Sequence, residues 1–425
     1  MSEVIPIARW APGGAAATAH RRLDGEAGRR AGRARLAPRR DVAPLRPAPL
    51  ALVLYASFGA GHEMAARALV KALAARGFRA EALDALSHVG GLGDPLRRAF
   101  HFLVARFPAI YGFLFDLLDR IFAWPPAARA RHAANRWIHR RFVGEVVRRL
   151  PAAVVATHYL PLDALARERR AGRLRASIGV AITDWTPHAF WLDGPADRIY
   201  VAGGPAGPAG SRPLAGALAA RGVPRHRIAA TGIPVDPDIG RLRPRAREAG
   251  KPVALVLMGG YGTGALGRVV CSFRDVRGVR LEIVAGRNER ARRELERLVG
   301  SLRLDAAVHG FVEHGALLRA MAAAAVVVTK PGGLTLAEAA SLGRPLVLVG
   351  PAVGQELGNA RAAVGAGAAV LACGPARAGP EAARLLADPR ALAAMGDRAR
   401  RLAPRGAAEA IAADVARLAP RATAS

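Results

Sequence analysis

Short apolar runs alternate with longer amphipathic stretches from about residue 50 to the end of the chain. Runs of roughly four to eight aliphatic and β-branched residues predict buried strands, and the amphipathic stretches between them predict helices. A first series of strands is predicted at 50–55, 78–83, 153–156, 178–182, 198–202 and 228–232. A second series is predicted at 253–258, 281–285, 307–310, 326–329, 345–349 and 368–371. This alternation is typical of an α/β fold.

The two series of strands predict two domains, which is consistent with a length of 425 residues. The charged segment 241–250 between them is interpreted as a linker. Residues 1–48 are rich in Ala, Arg, Gly and Pro and have no hydrophobic period, which favours disorder; a transit peptide and a basic arm on lipid headgroups are the alternatives. We therefore predict a basic segment at 1–48, domains at 49–240 and 251–405, and a C-terminal helix and tail at 406–425.

One segment of the first domain, residues 88–143, departs from this alternation. Aromatic side chains are crowded there, and arginines are interleaved with them. This composition is typical of a segment that lies in the interface of a membrane. A pair of core helices with basic outer faces explains it equally well. Stacking on nucleobases is a weaker alternative, because the aromatic residues occur among leucines.

The net charge of +30 has to be judged against the composition, because only three of the 63 basic residues are lysines. Such a bias toward arginine weakens a direct inference of nucleic-acid binding. The sequence also has no zinc-finger spacing, RNA-binding aromatic signature or basic zipper. A solvated basic surface is the simplest interpretation, and attraction to an anionic membrane surface is the next. We expect no nucleic-acid partner.

Cysteine content and hydropathy exclude further classes. Cys271 and Cys373 cannot form a disulfide framework, and we predict two buried thiols in a reducing compartment. No stretch reaches the roughly 20 apolar residues of a membrane-spanning helix, and the N-terminus lacks a signal-peptide pattern. The sequence predicts a protein that stays on one side of a membrane.

The most informative stretch is 326–340, VVVTKPGGLTLAEAA. A buried strand comes first, and an alanine-rich helix is predicted from about Thr335. The turn between them consists of Lys330, Pro331, Gly332 and Gly333. Free backbone N–H groups at the helix N-terminus favour an anionic ligand such as phosphate. Thr335 and Glu338 also fit a capping box, so Glu338 either caps the helix or accepts hydrogen bonds from ribose hydroxyls.

The next predicted strand, 345–349, leads into GPAVGQELGN at 350–359. The polar side chains there are Gln355, Glu356 and Asn359. Amide and carboxylate groups together suit the recognition of vicinal sugar hydroxyls, although an ordinary polar helix start is the alternative. Because open α/β sheets bind ligands at the carboxyl ends of their strands, 326–340 and 350–359 together predict the floor of a nucleotide site.

The loop after the first strand carries a candidate catalytic residue. It reads SFGAGHEMAA at 57–66 and places His62 at the entrance of a helix predicted from Ala65. A helix N-terminus lowers the pKa of a histidine, so His62 is expected to be neutral and able to accept a proton. A helix-capping histidine is the alternative.

A glycine-rich loop, GGYGTGALG at 259–267, satisfies the dinucleotide fingerprint GxGxxG. The acid that should end the next strand is missing, because that strand ends in AGR at 285–287. A nicotinamide enzyme is therefore not expected. The glycines that can still bring the backbone close to a diphosphate are Gly260, Gly262 and Gly264. The motif DPD at 236–238 mimics a metal-binding motif but is interpreted as a turn, and no metal site is predicted.

Six motifs follow one another along the chain. They are SFGAGHEMAA at 57–66, TDWTPHAFW at 183–191, GIPV at 232–235, GFV at 310–312, TKPGGLTLAE at 329–338 and GQELGN at 354–359. This ordered combination resembles the diacylglycerol glycosyltransferases of glycosyltransferase family 28. These are the monogalactosyldiacylglycerol synthases and the processive diacylglycerol glucosyltransferases, relatives of the peptidoglycan N-acetylglucosaminyltransferase. The resemblance spans roughly residues 50–400.

The resemblance implies a GT-B fold, with two Rossmann-like domains facing a central cleft. It implies an inverting hexosyltransferase that needs no metal or other cofactor and moves a hexose from a UDP-sugar to diacylglycerol. Such an enzyme is expected to be peripheral, on the cytoplasmic face of an anionic membrane. The resemblance assigns the diphosphate to the 330–335 loop and to Gly260, Gly262 and Gly264, the ribose to Glu338, and the sugar to Gln355, Glu356 and Asn359. It places His62 at the reaction centre, and the base that deprotonates the acceptor is either His62 or Asp184.

Some features depart from the family. Tyr261 stands where the family commonly continues glycine, the loop 203–213 is unusually rich in Gly and Pro, and the arginine-rich head has no counterpart. The alternatives for the acceptor are a polyprenyl-linked lipid, another lipid or a small molecule. The alternative of a different class is a non-catalytic nucleotide-sugar sensor or a basic adaptor on a membrane or nucleic acid.

Overall fold

A computed structural model describes residues 47–192, 194–203, 214–243, 250–259, 265–350 and 352–420. The described residues form two six-stranded parallel sheets, each flanked by helices. The expectations for residues 1–46 and for the loop 204–213 lie outside the described residues.

The N-terminal domain is built on the first sheet. Its strands are Leu50–Tyr55 (β1), Arg79–Asp84 (β2), Ala153–Ala156 (β3), Ser177–Ala181 (β4), Arg198–Tyr200 (β5) and Ile228–Ala229 (β6). Its helices are Ala60–Ala74 (α1), Gly93–Arg106 (α2), Pro108–Phe122 (α3), Pro125–Ile138 (α4), Arg140–Arg148 (α5), Tyr159–Arg170 (α6) and Leu214–Ala220 (α7). The strand order is β2-β1-β3-β4-β5-β6. The continuously apolar β1 and β3 are buried on both faces and lie inside the sheet.

The C-terminal domain is built on the second sheet, in the order β12-β11-β10-β7-β8-β9. Its strands are Val253–Leu257 (β7), Arg280–Val284 (β8), Ala306–His309 (β9), Val326–Thr329 (β10), Leu346–Val349 (β11) and Ala369–Ala372 (β12). Its helices are Leu266–Cys271 (α8), Glu289–Ser301 (α9), His314–Ala323 (α10), Gly333–Ser341 (α11), Gln355–Gly365 (α12), Ala378–Leu386 (α13) and Pro389–Leu402 (α14). A last helix, Ala407–Leu418 (α15), ends the described chain.

The C-terminal helix α15 returns to the N-terminal domain. Ile411 and Val415 of α15 are buried in one apolar cluster with Val53 of β1 and Leu69 of α1. Tyr200 of β5 donates its hydroxyl to a carboxylate on the same helix. The two domains are therefore joined by helix packing as well as by the connecting segment.

The aromatic and basic segment 88–143 forms four helices, α2 to α5, rather than the pair considered from the sequence. Pro108 and Pro125 lie in the first turns of α3 and α4, where their missing N–H groups cost no helical hydrogen bond. No residue of α3 is fully buried, although some, such as Tyr111, are partly buried. Within the described residues, no single helix is long and apolar enough to cross a membrane, and only the bent pair Gly90–Arg106 and Pro108–Phe122, at 112°, passes that test of length and composition jointly.

All twelve predicted strands are present, with ends that shift by at most three residues. The largest shift is in β6, which ends at Ala229. The helix predicted from Ala65 begins at Ala60, so that prediction was wrong by more than one turn. The prediction of two buried thiols was also wrong: Cys271 and Cys373 are both exposed. Cys271 ends the short helix α8, and Cys373 follows the edge strand β12.

Candidate active site

The carboxyl ends of three neighbouring strands bring the N-terminal candidate residues together. Strands β1, β3 and β4 are adjacent and parallel, so the loops that follow them leave the same edge of the sheet. His62 follows β1, Thr157 follows β3, and Asp184 follows β4. Residues that are distant in the sequence thus share one edge of the domain.

His62 lies in the first turn of α1, and its side chain does not cap that helix. Its Nδ1 is 2.8 Å from the carbonyl oxygen of Thr157 and must carry the proton of that bond, because a carbonyl only accepts. The lone pair is therefore on Nε2, which makes no hydrogen bond to the described residues. Burial lowers the pKa of His62, while the Asp184 carboxylate and the Thr157 carbonyl act in the opposite direction. A neutral imidazole with a free Nε2 can act as a general base.

Asp184 lies close to His62 but is held by the other domain. Its Oδ1 accepts a hydrogen bond of 2.8 Å from Nδ2 of Asn359. Burial raises the pKa of Asp184, and the Asn359 hydrogen bond and the charge of His62 oppose that rise. The carboxylate can therefore stabilise a proton on His62 while it is itself oriented by Asn359.

The facing edge of the C-terminal domain is formed by the ends of β10 and β11. Helix α11 begins at Gly333, with Gly332 as the N-cap residue and no side chain that caps its N–H groups. No side chain satisfies these N–H groups, and their predicted binding of an anion stays a prediction. Thr335 lies inside α11 rather than at its start, so the capping-box alternative for Thr335 and Glu338 does not apply.

Lys330 extends from the end of β10 toward a second polar residue and a glycine. Its Nζ forms an ion pair with Glu356 in the first turn of α12. Gly259 has a φ of +88°, which favours glycine, and a Cβ there would lie 3.1 Å from Cε of Lys330. Gly260, Gly262 and Gly264, predicted to contact a diphosphate, lie outside the described residues.

Glu338 is buried against a histidine that the sequence did not single out. Its Oε1 is 2.7 Å from Nε2 of His314, the first residue of α10. Nδ1 of the same imidazole is 3.9 Å from Asp236 in the segment between the domains. Burial alone would lower the pKa of His314, but its hydrogen bond to Glu338 and the nearby carboxylates raise the pKa above its ordinary value. The Glu338 carboxylate, which is predicted to contact the ribose, is thus also hydrogen-bonded to His314.

Asn359 is fully buried and uses its amide within the protein. Besides Asp184, its Nδ2 donates to the carbonyl oxygen of Pro331 at 3.1 Å, and its Oδ1 accepts from the backbone N–H of Trp185 at 2.8 Å. Asn359 therefore connects the 330–335 turn with the 183–191 loop of the other domain. Its predicted sugar contact stays a prediction.

Gln355 is also engaged by the N-terminal domain. Its Oε1 accepts a hydrogen bond of 2.7 Å from the hydroxyl of Tyr111 on α3, and its backbone carbonyl accepts one of 3.1 Å from Thr186. The composition of the segment that carries Tyr111 fits either a membrane interface or a pair of core helices, and no sequence pattern indicates this contact.

Two glycines allow the domains to approach closely. A Cβ on Gly333 would overlap the carbonyl oxygen of Thr183 and lie 2.8 Å from Oδ1 of Asp184. A Cβ on Gly358 would overlap the hydroxyl of Thr186. The predicted phosphate-binding turn and the Asp184 loop are therefore in direct contact in this structure.

The structure places every described candidate residue at these two facing edges. Thr157, His314 and Tyr111 were not predicted and join them through the contacts above. Only Thr157 had a sequence signal, because it follows a predicted strand. Among the described residues, no group of three or more His, Cys, Asp or Glu side chains is arranged to hold a metal ion.

Comparison with known proteins gives a sequence relationship over part of the chain. No protein-family model matches it. A processive diacylglycerol β-glucosyltransferase of Bacillus cytotoxicus is 30% identical over 224 residues, which cover 50% of this chain and 55% of that protein. The chain thus spans about half the length of the curated relatives it matches. It is related in sequence to the processive diacylglycerol β-glucosyltransferases, as the motifs indicated.

Solved structures establish the fold. MurG of Acinetobacter baumannii superposes with a TM-score of 0.56 at 16% identity, covering 87% of this chain and all of MurG. A putative UDP-N-acetylglucosamine 2-epimerase of Listeria monocytogenes superposes with a TM-score of 0.54 at 13% identity, covering 87% and 96% of the two chains. The predicted GT-B fold is confirmed. Because an epimerase shares this fold, the reaction has to be argued from the site.

Proposed function

We propose that this protein is an inverting glycosyltransferase that moves a hexose from a UDP-sugar to diacylglycerol at a membrane surface. The observation that carries the proposal is the position of His62. Its Nδ1 is fixed on the Thr157 carbonyl, its Nε2 is free, and its domain edge faces the uncapped N-terminus of α11. A base on one domain and an anion site on the other are the two groups that sugar transfer requires. The relationship to diacylglycerol glucosyltransferases supports this choice over epimerisation.

The donor diphosphate is assigned to the N-terminus of α11 and to Lys330. Backbone N–H groups there are preorganised, so they can stabilise the charge that develops as UDP leaves, without a metal ion. Lys330 exchanges its ion pair with Glu356 for the diphosphate, which frees the Glu356 carboxylate to accept hydrogen bonds from sugar hydroxyls. Glu338, oriented by His314, accepts from the ribose.

His62 is assigned as the base that takes the proton of the acceptor hydroxyl. The lowered pKa of His62 keeps the imidazole neutral near pH 7, ready to accept a proton. The negative charge of the nearby Asp184 carboxylate stabilises the imidazolium that forms. The alternative, in which Asp184 itself is the base, is less favoured because its Oδ1 already accepts from Asn359.

The lipid acceptor is assigned to the surface formed by α2, α3 and α4. In the part of the chain that the structure describes, 12 of the 17 exposed large apolar side chains lie between residues 92 and 138. Phe113, Trp124 and Trp137 are 66%, 64% and 70% exposed. Arginines at 98, 106, 120 and 129 are exposed in the same helices. Exposed apolar side chains beside exposed arginines are suited to the interface of an anionic membrane. We assign this surface to the cytoplasmic face of the membrane.

The proposal is tested by incubating the purified protein with UDP-glucose, UDP-galactose or UDP-N-acetylglucosamine and vesicles that contain diacylglycerol. We expect one labelled hexose to move into the lipid fraction, with inverted anomeric configuration and without loss of activity in a metal chelator. His62→Ala is the control that should lose transfer. Transfer only to a polyprenyl phosphate or a soluble alcohol would show that the acceptor is not diacylglycerol. Conversion of the UDP-sugar without transfer, or DNA binding without UDP binding, would overturn the proposal.

A further inference from the structure

Tyr111 connects the apolar helix α3 directly to the predicted sugar-binding residue Gln355. The tyrosine hydroxyl donates to Oε1 of Gln355 at 2.7 Å. The orientation of the Gln355 side chain is thereby set by a group on the opposite domain. Oε1 keeps one further lone pair, but the NH₂ group makes no hydrogen bond to the described residues, so its two N–H donors are the larger part of this side chain that remains for a ligand.

The contact around this hydrogen bond is close and built from both domains. A Cβ on Gly112 would lie 3.2 Å from Cβ of Val353, so α3 packs closely against the loop before α12 and a side chain there would push the two apart by a few tenths of an ångström. Gly354 has a φ of +56°, and the rings of Tyr111 and Phe115 lie against the place where its side chain would be. Helix α3 is therefore seated on the first turn of α12 by shape as well as by the hydrogen bond.

The tyrosine is a permanent donor in this position. Burial raises the pKa of Tyr111, and the carboxylates of Asp184 and Glu356 act in the same direction, so its hydroxyl keeps its proton at physiological pH. A tyrosinate could not donate to Oε1. Because Oε1 accepts from Tyr111 in this structure, the NH₂ group lies on the other side of the Gln355 amide.

We propose that Tyr111 is a positioning residue of the donor site, which turns the Gln355 amide so that it contacts the donor sugar through its NH₂ group. This inference rests on the proposed function and deepens it. A sugar hydroxyl that meets this NH₂ group accepts a hydrogen bond from it, so hexoses that differ in the direction of that hydroxyl should bind with different affinity. Because the opposite face of α3 carries exposed apolar residues such as Ile110 and Phe113, the helix assigned to the lipid surface also shapes the sugar site.

The test compares binding of UDP and of each UDP-hexose to the wild-type protein and to Tyr111→Phe by calorimetric titration. Phenylalanine keeps the ring packing and removes only the hydroxyl. We expect the affinity for the preferred UDP-hexose to fall about five- to tenfold, as for a lost hydrogen bond in a buried site, while affinity for UDP itself is unchanged. In transfer assays the donor KM should rise by a similar factor with little change in kcat.

Two further variants separate positioning from general destabilisation. Tyr200→Phe removes another buried tyrosine hydroxyl, which bonds Asp414 3.0 Å away in a region remote from Gln355, and should leave the ratio of UDP-hexose to UDP affinity as in the wild type. Gln355→Met should lower the affinity for the UDP-hexose relative to UDP. The double variant Gln355→Met/Tyr111→Phe should show no further fall in that relative affinity. An unchanged ratio in Tyr111→Phe overturns the inference while leaving the proposed function intact. Failure of the wild-type protein to bind UDP or any UDP-hexose overturns the proposed function, and the inference with it.

Discussion

Asn359, on α12, donates its side-chain amide to the carboxylate of Asp184 across the interface of the two domains, over 2.8 Å. The same amide group also bonds Pro331 and the backbone of Trp185. One buried side chain thus ties the predicted phosphate-binding turn to the loop that lies beside His62. A substitution at Asn359 should therefore alter the hydrogen bonding of both domains.

Replacing Asn359 should shift the pH dependence of the reaction. Asn359→Ala removes the hydrogen bond that opposes the raised pKa of Asp184, so this pKa should rise further. Because Asp184 has to be ionised to stabilise the His62 imidazolium, the acidic limb of the pH–rate profile should move to higher pH. The free energy of unfolding should fall by roughly 1–3 kcal/mol. Asn135→Ala, which breaks a similar amide–carboxylate bond to Asp163 inside the N-terminal domain, is the control. It should lower stability without moving the profile; equal shifts in both variants would contradict the assignment.

Catalysis should require neutral His62. Its pKa lies below the ordinary value of 6.5 because of burial, so kcat/KM should rise with pH through a midpoint below that value and level off above it. The unfolded chain binds a proton at His62 more readily than the folded chain, so stability should fall as the pH drops below 6.5. His62→Ala should reduce kcat by about 10²- to 10⁴-fold with little effect on UDP affinity. A variant that retains wild-type kcat would remove His62 from the mechanism.

His314 should contribute stability that depends on pH in the opposite sense. Its pKa is raised by Glu338, Asp236 and Glu313, while Lys71, which bonds Asp236, partly compensates their charge. The contribution is therefore complete below pH 6.5 and is lost as the pH rises through the raised folded-state value.

In thermal unfolding between about pH 6 and about pH 9, the stability difference between the wild type and His314→Gln should be largest at the acidic end. UDP affinity should fall in parallel, since Glu338 loses its partner. A difference that is constant with pH would show that the pair does not titrate as inferred.

Two neighbouring glycines should differ sharply in their tolerance of a side chain. Gly333→Ala places a Cβ against the carbonyl of Thr183, whereas nothing lies within 4 Å of a Cβ on Gly332. We expect Gly333→Ala to lower the free energy of unfolding by about 1–3 kcal/mol, because the domains must separate or distort. Gly332→Ala should change the unfolding temperature little. Equal unfolding temperatures for the two variants would mean that the close contact at Gly333 is not maintained in solution.

The exposed aromatic side chains of α3 and α4 should determine vesicle binding. Replacing Phe113, Trp124 and Trp137 together by serine removes apolar area that a membrane interface would bury, at about 1.5–3 kcal/mol each when fully buried. Sedimentation with anionic vesicles should fall at least tenfold. Phe311→Ser, which removes an aromatic side chain of 59% exposure from the C-terminal domain, should bind vesicles as the wild type does. Unchanged sedimentation of the triple variant would exclude this surface.

The sequence predicted the strands well because their signal is local. Each consists of a few consecutive apolar residues, and burial on both faces of a parallel sheet requires no more than that. Helix starts were predicted less well, since α1 begins at Ala60 on a Gly59 N-cap without any capping side chain to mark it. The two cysteines were misjudged because a free thiol is usually buried, and only the sheet order shows that β12 is an edge strand.

The sequence by itself determined the α/β architecture, the two domains and the polar loops that follow the strands. The tertiary structure alone decided which of those loops meet. Tyr111 reaches Gln355, His314 reaches Glu338, and Asn359 reaches Asp184 only because the strand order and the docking of the domains bring them together. Hydrophobic periodicity acts between residues a few positions apart, so it sets the elements but carries no information about pairings between residues far apart in the chain.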